Sequence, residues 1–147
     1  MKAAMSVREP VEPENAQVLV VEDNPASFAL TARLLAYTGV QQPEWKTTGW
    51  GVVEYAEQMG RVDLVLMDLR LPVEDGYEAL RHIREHPKLR DTLVVPVTAL
   101  GSTTEMEKAR EAGFDGFLAK PLDVRKFPDQ IRKILRGEPV WEAEPGT

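Results

Sequence analysis

The chain contains 147 residues, of which 43% are hydrophobic and 29% are charged, and this composition is typical of one globular domain with a buried core. A formal net charge of −6 argues against a general nucleic-acid binder, because contacts with backbone phosphates require clustered positive charge. The lack of cysteine excludes disulfide bonds, a thiolate nucleophile and a cysteine metal site.

The two ends of the chain are rich in proline, glutamate and glycine. The first 17 residues lack the apolar segment of a signal peptide, and no apolar run is long enough to span a bilayer. We therefore expect a cytoplasmic protein without membrane insertion. We also expect a flexible N-terminal extension over residues 1–15, one domain over 16–136 and a flexible C-terminal tail over 137–147.

Four short runs of the sequence are largely apolar rather than alternating, and a fifth, weaker run alternates apolar with polar residues. Continuous runs are typical of strands covered on both faces, whereas alternation is typical of a partly exposed edge strand. In chain order, the predicted strands are residues 18–21, the alternating run 44–47, and residues 62–67, 93–97 and 116–119.

The segments between and after these strands have the apolar spacing of helices. The predicted helices are residues 25–37, 50–59, 77–85, 103–112 and 124–135. Asn24 and Pro25 suit the start of the first helix, and Gly39 and Gly113 follow the first and fourth. This alternation predicts an α/β fold, with a doubly wound five-stranded parallel sheet, right-handed crossovers and five helices in a three-layer α/β/α sandwich.

Pro96 conflicts with this scheme, because it falls inside the fourth predicted strand. Proline has no backbone N–H and removes a hydrogen bond from a sheet. We therefore expect a bulge or a shortened strand at this position.

Polar motifs follow four of the predicted strands. They are Glu22-Asp23, Asp68, Thr98-Ala99 and Lys120-Pro121. Because the carboxyl ends of parallel strands meet at one edge of the sheet, these motifs should converge there. Asp68 is the most informative of them, since it ends the most apolar run of the chain and is followed by turn residues Pro72 and Gly76.

Three carboxylates packed together repel one another unless a cation offsets their charge. Mg²⁺ suits this role because it prefers oxygen ligands and keeps several waters. With the positive charge of Lys120 and the hydroxyl of Thr98, the site suits a phosphoryl group on Asp68, because carboxylates act as nucleophiles in phosphoryl transfer. Taken singly, the acidic pair could be a helix-terminal charge, Thr98 a strand residue and Lys120 a solvated side chain. The prediction therefore depends on the combination.

Four segments carry a family resemblance: VLVVEDN over 18–24, DLVLMDLRLPVEDG over 63–76, VTA over 97–99 and LAKP over 118–121. Over residues 17–135 the chain resembles the receiver domain of two-component response regulators, the CheY-like superfamily, and in particular single-domain regulators of the DivK type. The resemblance implies a flavodoxin-like strand order, 2-1-3-4-5.

The resemblance also implies a function in phosphorelay signal transduction. A histidine kinase or histidine phosphotransfer protein would donate a phosphoryl group to Asp68 in a Mg²⁺-dependent reaction. The surface of the fourth helix, fifth strand and fifth helix would then change and control a downstream target protein. Such a protein has no dedicated small-molecule substrate, loses its phosphoryl group by autodephosphorylation, binds no nucleic acid directly and acts as a monomer or weak dimer.

The same resemblance assigns roles around the metal ion. Asp68 is the phosphoacceptor, and Asp23 and Asp68 bind Mg²⁺, for which Mn²⁺ could substitute, together with the backbone carbonyl of Arg70. Glu22 acts through a metal-bound water.

Four further residues would contact the phosphoryl oxygens or respond to them. Lys120 pairs with one oxygen, and the hydroxyl of Thr98 and the backbone N–H of Ala99 bind another. Thr98 and Phe117 form the switch pair, with Phe117 in place of the commoner tyrosine. Inward rotation of Phe117 would accompany movement of Thr98, although a plain core aromatic is an equal alternative.

His82 and His86 are four residues apart, a spacing that could form a metal pair. We favour solvent-facing side chains instead. The basic residues near the C-terminus are expected to form a solvated face; they are Arg125, Lys126, Arg132, Lys133 and Arg136.

Other functions fit the sequence less well. An aspartate-nucleophile phosphatase would need a general acid two residues after the nucleophile, where this chain has Arg70, and a cap domain. A flavin-binding module would need a phosphate-cradling loop after Val21. A phosphorylation-independent scaffold need not retain the set of acids, threonine and lysine. The polar ends favour a stand-alone protein over a piece of a hybrid kinase.

Overall fold

The computed structural model describes residues 9–146, which form one parallel sheet with helices on both faces. The strands are β1 (Val18–Val21), β2 (Glu44–Lys46), β3 (Leu64–Met67), β4 (Leu93–Thr98), β5 (Phe117–Ala119) and β6 (Trp141–Glu142). The helices are α1 (Pro25–Thr38), α2 (Val52–Met59), α3 (Gly76–Glu85), α4 (Thr103–Ala112) and α5 (Phe127–Leu135), with a 3₁₀ turn at Pro13–Asn15.

The sheet order is β2-β1-β3-β4-β5-β6, and every neighbouring pair is parallel. The predicted α/β class and the order 2-1-3-4-5 are therefore confirmed. The sixth strand was not predicted, and it lies beyond β5.

Alternate residues of the central strands face opposite layers of the sandwich. Val18 and Val20 pack with the apolar faces of α1 and α5, whereas Leu19 and Val21 pack with α2, α3 and α4. Two separate apolar cores result, one on each face of the sheet, which explains why the strands are continuously apolar in sequence.

Local signals fix the helix ends close to the predicted positions. The side chain of Asn24 accepts the N–H of Ser27 at 2.9 Å, and Ser102 caps α4 by accepting the N–H of Glu105 at 3.1 Å. α5 begins three residues later than predicted, because a carboxylate oxygen of Asp123 accepts backbone N–H groups from the preceding turn.

The expectation of a bulge or shortened strand at Pro96 is wrong, since β4 runs unbroken through this residue. In β4, Val94 accepts the N–H of Asp115, and Thr98 accepts the N–H of Lys120. The backbone N–H and C=O groups of even-numbered residues in β4 therefore point toward β5, and so does the nitrogen of Pro96. Pairing with β5 starts only at Val97, so the missing N–H falls at the open start of that ladder.

The segment expected to be a flexible C-terminal tail, residues 137–147, includes β6, which pairs with β5. Residues 1–8 of the expected N-terminal extension lie outside the described residues. The rest of that extension includes the 3₁₀ turn, and Val11 donates its N–H to the carbonyl of Leu135 at 3.2 Å. Within residues 9–146, no helix combines the length and apolar character needed to cross a bilayer.

Val73 has the only positive φ among the non-glycine residues that the structure describes, at 71°. A β-branched side chain in this region is costly, and Val73 is 81% exposed, so little burial offsets the cost. Since Asn tolerates this conformation, we expect Val73→Asn to raise the free energy of unfolding by about 1 kcal/mol in urea denaturation. Val124→Asn, at another exposed valine, should change it by less than about 0.5 kcal/mol. A lower free energy of unfolding for Val73→Asn would contradict the inference that the backbone of Val73 is strained.

Candidate functional site

Four strands deliver polar side chains to the carboxyl edge of the sheet. Asp68 follows β3, and its backbone N–H donates to the carbonyl of Val21 at 3.1 Å, so it lies beside the residues that follow β1. Thr98 ends β4, and its carbonyl accepts the N–H of Lys120 at 2.8 Å. The sheet hydrogen bonds therefore bring together residues that are up to 98 positions apart in sequence.

Lys120 lies at the centre of this edge. Its ammonium group is 2.7 Å from a carboxylate oxygen of Glu22, 3.2 Å from Oδ2 of Asp68 and 3.5 Å from the hydroxyl of Ser27. Burial lowers the pKa of Lys120, but the hydrogen bonds and charges of the two carboxylates outweigh burial and raise this pKa above its ordinary value. Lys120 is therefore a fixed cation facing Asp68.

Asp68 is held by the backbone of the loop that follows it. Its Oδ1 accepts the N–H of Arg70 at 3.0 Å, and its side chain is 12% exposed. Gly76 lets the loop fold back, since a Cβ at this position would lie 3.0 Å from the carbonyl oxygen of Asp68. One carboxylate oxygen thus points to Lys120 while the other is oriented by main chain.

Glu22 is more buried than Asp68, with a side chain that is 6% exposed. One of its oxygens pairs with Lys120, and the other accepts the N–H of Asn24 at 3.1 Å. Its carbonyl accepts the indole N–H of Trp45 at 2.7 Å, and Trp45 stacks on Phe28 with 4.2 Å between ring centroids. Trp45 therefore orients the acidic pair, a role that the sequence did not predict.

Replacing the indole should reveal that bond. Trp45→Phe retains a ring against Phe28 but removes the N–H donor, and we expect the free energy of unfolding to fall by about 1 kcal/mol. Trp50→Phe is the matched control, because the Trp50 side chain is 66% exposed and its replacement should cost less than about 0.5 kcal/mol. If urea denaturation gave equal losses in the free energy of unfolding for the two variants, the hydrogen bond from Trp45 to Glu22 would not be stabilising.

Asp23 is exposed beside these two carboxylates. Glu22, Asp23 and Asp68 each offer a carboxylate oxygen, and these oxygens lie within 4.8 Å of one another. Oxygen donors at this separation fit a hard divalent cation, which would offset the acidic charge that Lys120 alone does not balance. Among residues 9–146, no other group of three or more potential metal ligands has this geometry.

Thr98 and Ala99 lie on the far side of the same edge. Thr98 is fully buried, and its hydroxyl oxygen accepts the N–H of Leu100 at 3.0 Å, while Ala99 is exposed. Phe117 is fully buried in the core cluster against which Trp141 packs. The ring thus already occupies the inward position that a switching aromatic would adopt.

The two histidines contact different carboxylates. His82 lies 3.1 Å from Glu74, and His86 lies 2.8 Å from Glu57 on α2. They form no common group of potential metal ligands among the described residues. The basic side chains predicted to form a solvated face are all exposed; they are Arg125, Lys126, Arg132, Lys133 and Arg136.

The sequence of residues 18–132 matches the family model described as the response regulator receiver domain. This match covers most of the chain, including all the acidic residues and the lysine described above. The chain belongs to the response regulator receiver domain family. Receiver domains are signalling modules of two-component systems.

Relatives of two architectures match this receiver. It is 30% identical to the polar-differentiation response regulator DivK of Brucella anthropi over 118 residues, which are 80% of the chain and 94% of that relative. It is 36% identical to the signal transduction histidine-protein kinase BarA of Shigella flexneri over 123 residues, 84% of the chain. The chain spans only 13% of the length of this kinase.

Solved structures agree with the fold. The receiver domain of the sensor histidine kinase PA1611 from Pseudomonas aeruginosa, with magnesium coordinated in its active site cleft, is 32% identical and has a TM-score of 0.72. The alignment covers 84% of this receiver and 98% of that chain. The chemotaxis response regulator CheY4 of Vibrio cholerae, at 23% identity and a TM-score of 0.72 over 81% of this chain and 98% of its own, supports the fold alone.

Proposed function

We propose that this receiver is a response regulator that accepts a phosphoryl group on Asp68 from a histidine kinase or histidine phosphotransfer protein. The observation that carries the proposal is the Asp68 carboxylate, which is partly open to solvent, lies 3.2 Å from the ammonium of Lys120 and belongs to a cluster of three carboxylates. A nucleophile, a cation and an oxygen-rich metal site thus lie at one edge of the sheet.

The carboxylate cluster supports Mg²⁺ as the metal, since it offers oxygen ligands and the PA1611 receiver holds magnesium in its cleft. We assign Asp23, Asp68 and the backbone carbonyl of Arg70 as direct ligands, with Mn²⁺ as a substitute. Both oxygens of Glu22 already have partners, which supports an indirect contact through water. When bound, the ion supplies positive charge opposite the negative charge that develops during transfer.

In the transfer step, a carboxylate oxygen of Asp68 attacks phosphorus of the donor. The phosphorus–nitrogen bond of the donor histidine breaks as the oxygen–phosphorus bond forms, and the electron pair returns to the imidazole. Lys120 turns from Asp68 toward a phosphoryl oxygen, and the Thr98 hydroxyl and Ala99 N–H bind another. The sheet holds Asp68 and Lys120 facing each other before the reaction, so these two groups need little reorganisation.

The output step would reshape the surface formed by α4, β5 and α5. The hydroxyl of Thr98 must leave its place beside the Leu100 N–H to reach the phosphoryl group, and this movement displaces the loop between β4 and α4. The Phe117 ring is already buried in this structure, so in the proposed switch it stays inward while Thr98 moves toward the phosphoryl group. We retain as predictions that the changed surface controls a target protein, that the receiver has no small-molecule substrate, and that it acts in the cytoplasm as a monomer or weak dimer.

Intact mass spectrometry after incubation with acetyl phosphate tests the proposal. We expect one phosphoryl adduct that requires Mg²⁺, and peptide mapping should place it on Asp68. A phosphorylation-independent scaffold would show neither this adduct nor Mg²⁺-dependent binding of beryllofluoride, which mimics a phosphoryl group on the carboxylate. Those two negative results together would overturn the proposal.

A further inference from the structure

Residues 138–144, which we call the C-terminal strap, cover the open side of β5. The backbone N–H of Phe117 donates to the carbonyl of Val140 at 2.8 Å, and β6 within the strap pairs in parallel with β5. Near its end, Glu144 donates its N–H to the carbonyl of Gly101 at 2.8 Å. The strap lies after residue 132, where the family match ends, so it is an addition to the matched receiver fold.

Side chains of both flanking helices hold the strap over β5. The guanidinium of Arg110 on α4 lies 4.2 Å from the centroid of the Trp141 ring, and that ring also packs against the core cluster. The ammonium of Lys126, at the start of α5, is 3.5 Å from a carboxylate oxygen of Glu142. An aromatic residue followed by an acidic residue therefore meets two cations and an apolar surface.

Two glycines beside this edge have no room for a side chain. A Cβ at Gly116 would lie 2.8 Å from the carbonyl oxygen of Val140, and a Cβ at Gly101 would lie 2.5 Å from the Cβ atom of Ala119. Real Cβ atoms do not approach so closely, so both positions need glycine while the strap and β5 are in place. The edge of β5 is thus shaped to accept an extended segment.

The strap is bonded to both elements that the proposed function moves. Phe117 of the switch pair supplies its N–H to Val140, and Gly101 follows Thr98 by three residues. Movement of Thr98 toward a phosphoryl group would break the bond from Leu100 and displace Gly101 relative to β5. The hydrogen bond from Glu144 to Gly101 fits the present arrangement, so this displacement would weaken the strap.

We propose that the C-terminal strap is an internal ligand that masks the surface of α4, β5 and α5, and that phosphorylation of Asp68 releases it. This inference depends on the proposed function. The exposed edge would then bind an extended segment of the target protein, with an aromatic residue in the place of Trp141 and an acidic residue after it. Strand addition to an open sheet edge, with side-chain pockets for specificity, is an established mode of peptide recognition.

Reciprocity between linked sites gives a sharp expectation. If the phosphoryl group weakens the strap, then weakening the strap must tighten the binding of a phosphoryl mimic by the same factor. We expect Trp141→Ala to tighten Mg²⁺-dependent beryllofluoride binding by about fivefold or more in the full chain. Glu142→Lys, which replaces the ion pair with Lys126 by a repulsion and leaves the core intact, should act in the same direction. Tyr37→Ala, at a ring that is 75% exposed at the end of α1, should have no effect.

Hydrogen exchange of the full chain provides the second readout. We expect beryllofluoride with Mg²⁺ to increase exchange in residues 138–146 and at the Phe117 amide. We also expect a peptide with the sequence of residues 138–146 to bind the beryllofluoride complex, and its Trp-to-Ala analogue not to bind. Beryllofluoride binding with an unchanged strap and unchanged affinity in both strap variants would overturn the inference and leave the proposed function standing. Absence of both binding and phosphorylation would overturn the proposed function, and the inference with it.

Discussion

Asp68→Asn is expected to give a folded protein that takes up no phosphoryl group. The amide has the shape of the carboxylate, and its oxygen can still accept the N–H of Arg70, so the loop after β3 keeps its anchor. The amide lacks the nucleophilic oxygen, and covalent labelling by acetyl phosphate should fall below detection, a loss of more than about 100-fold. Intact mass spectrometry measures the adduct, and circular dichroism checks the fold.

Stability separates this result from simple unfolding. In metal-free buffer, Asp68→Asn removes one of three neighbouring negative charges, so its melting temperature should equal or exceed that of the parent. Asp75→Asn is the matched control, because Asp75 caps α3 by accepting the N–H of Glu78 and an asparagine caps equally well. It should be labelled like the parent. A phosphoryl adduct on the Asp68→Asn protein would move the acceptor to another residue.

Asp23→Ala is expected to remove most of the Mg²⁺ dependence and most of the phosphorylation. Asp23 is exposed and its carboxylate oxygen lies within 4.8 Å of those of Glu22 and Asp68, so its loss deprives the ion of a charged ligand. We expect Mg²⁺ affinity to fall by about tenfold or more, equivalent to at least about 1.4 kcal/mol. The fluorescence of Trp45, whose indole bonds to the carbonyl of Glu22, offers a direct titration signal.

Net charge must be controlled in that comparison. Asp129→Ala removes the same charge from an exposed position on α5, where Asp129 lies 3.7 Å from Lys133. It should leave both the Mg²⁺ titration and the phosphoryl adduct unchanged, since an exposed charge far from the site is largely screened. If Asp23→Ala bound Mg²⁺ as tightly as Asp129→Ala, the assignment of Asp23 as a metal ligand would be wrong.

Sequence periodicity predicted the sheet because each central strand is covered on both faces. Val18–Val21 is apolar at every position, and the structure shows that its alternate residues fill two different cores. Once the strands are parallel, their carboxyl ends must share an edge. This is why the proximity of Asp68 and Lys120 could be predicted, although they are 52 residues apart in the sequence. Their chemical roles remain predictions until the adduct is mapped.

Features that depend on hydrogen-bond direction or tertiary contact could not be predicted in this way. Pro96 is tolerated because its nitrogen faces the start of the β5 ladder, and sequence does not state which neighbour a strand residue faces. Trp45 was placed on an edge strand, but its bond to Glu22 depends on the distance between two strands. β6 has only two residues, too few for a periodic signal, and Trp141 in a tail rich in proline and glutamate was its one indication.

The short outer strands have a consequence for how this protein behaves at high concentration. An open sheet exposes unpaired N–H and C=O groups along each border, and long apolar borders invite other chains to add to them. Here the borders are β2, with three residues that include Glu44 and Lys46, and β6, with two residues that end in Glu142. Pro145 follows soon after and offers no N–H. Each border is too short and too charged to template a neighbouring molecule, which favours a protein that resists aggregation.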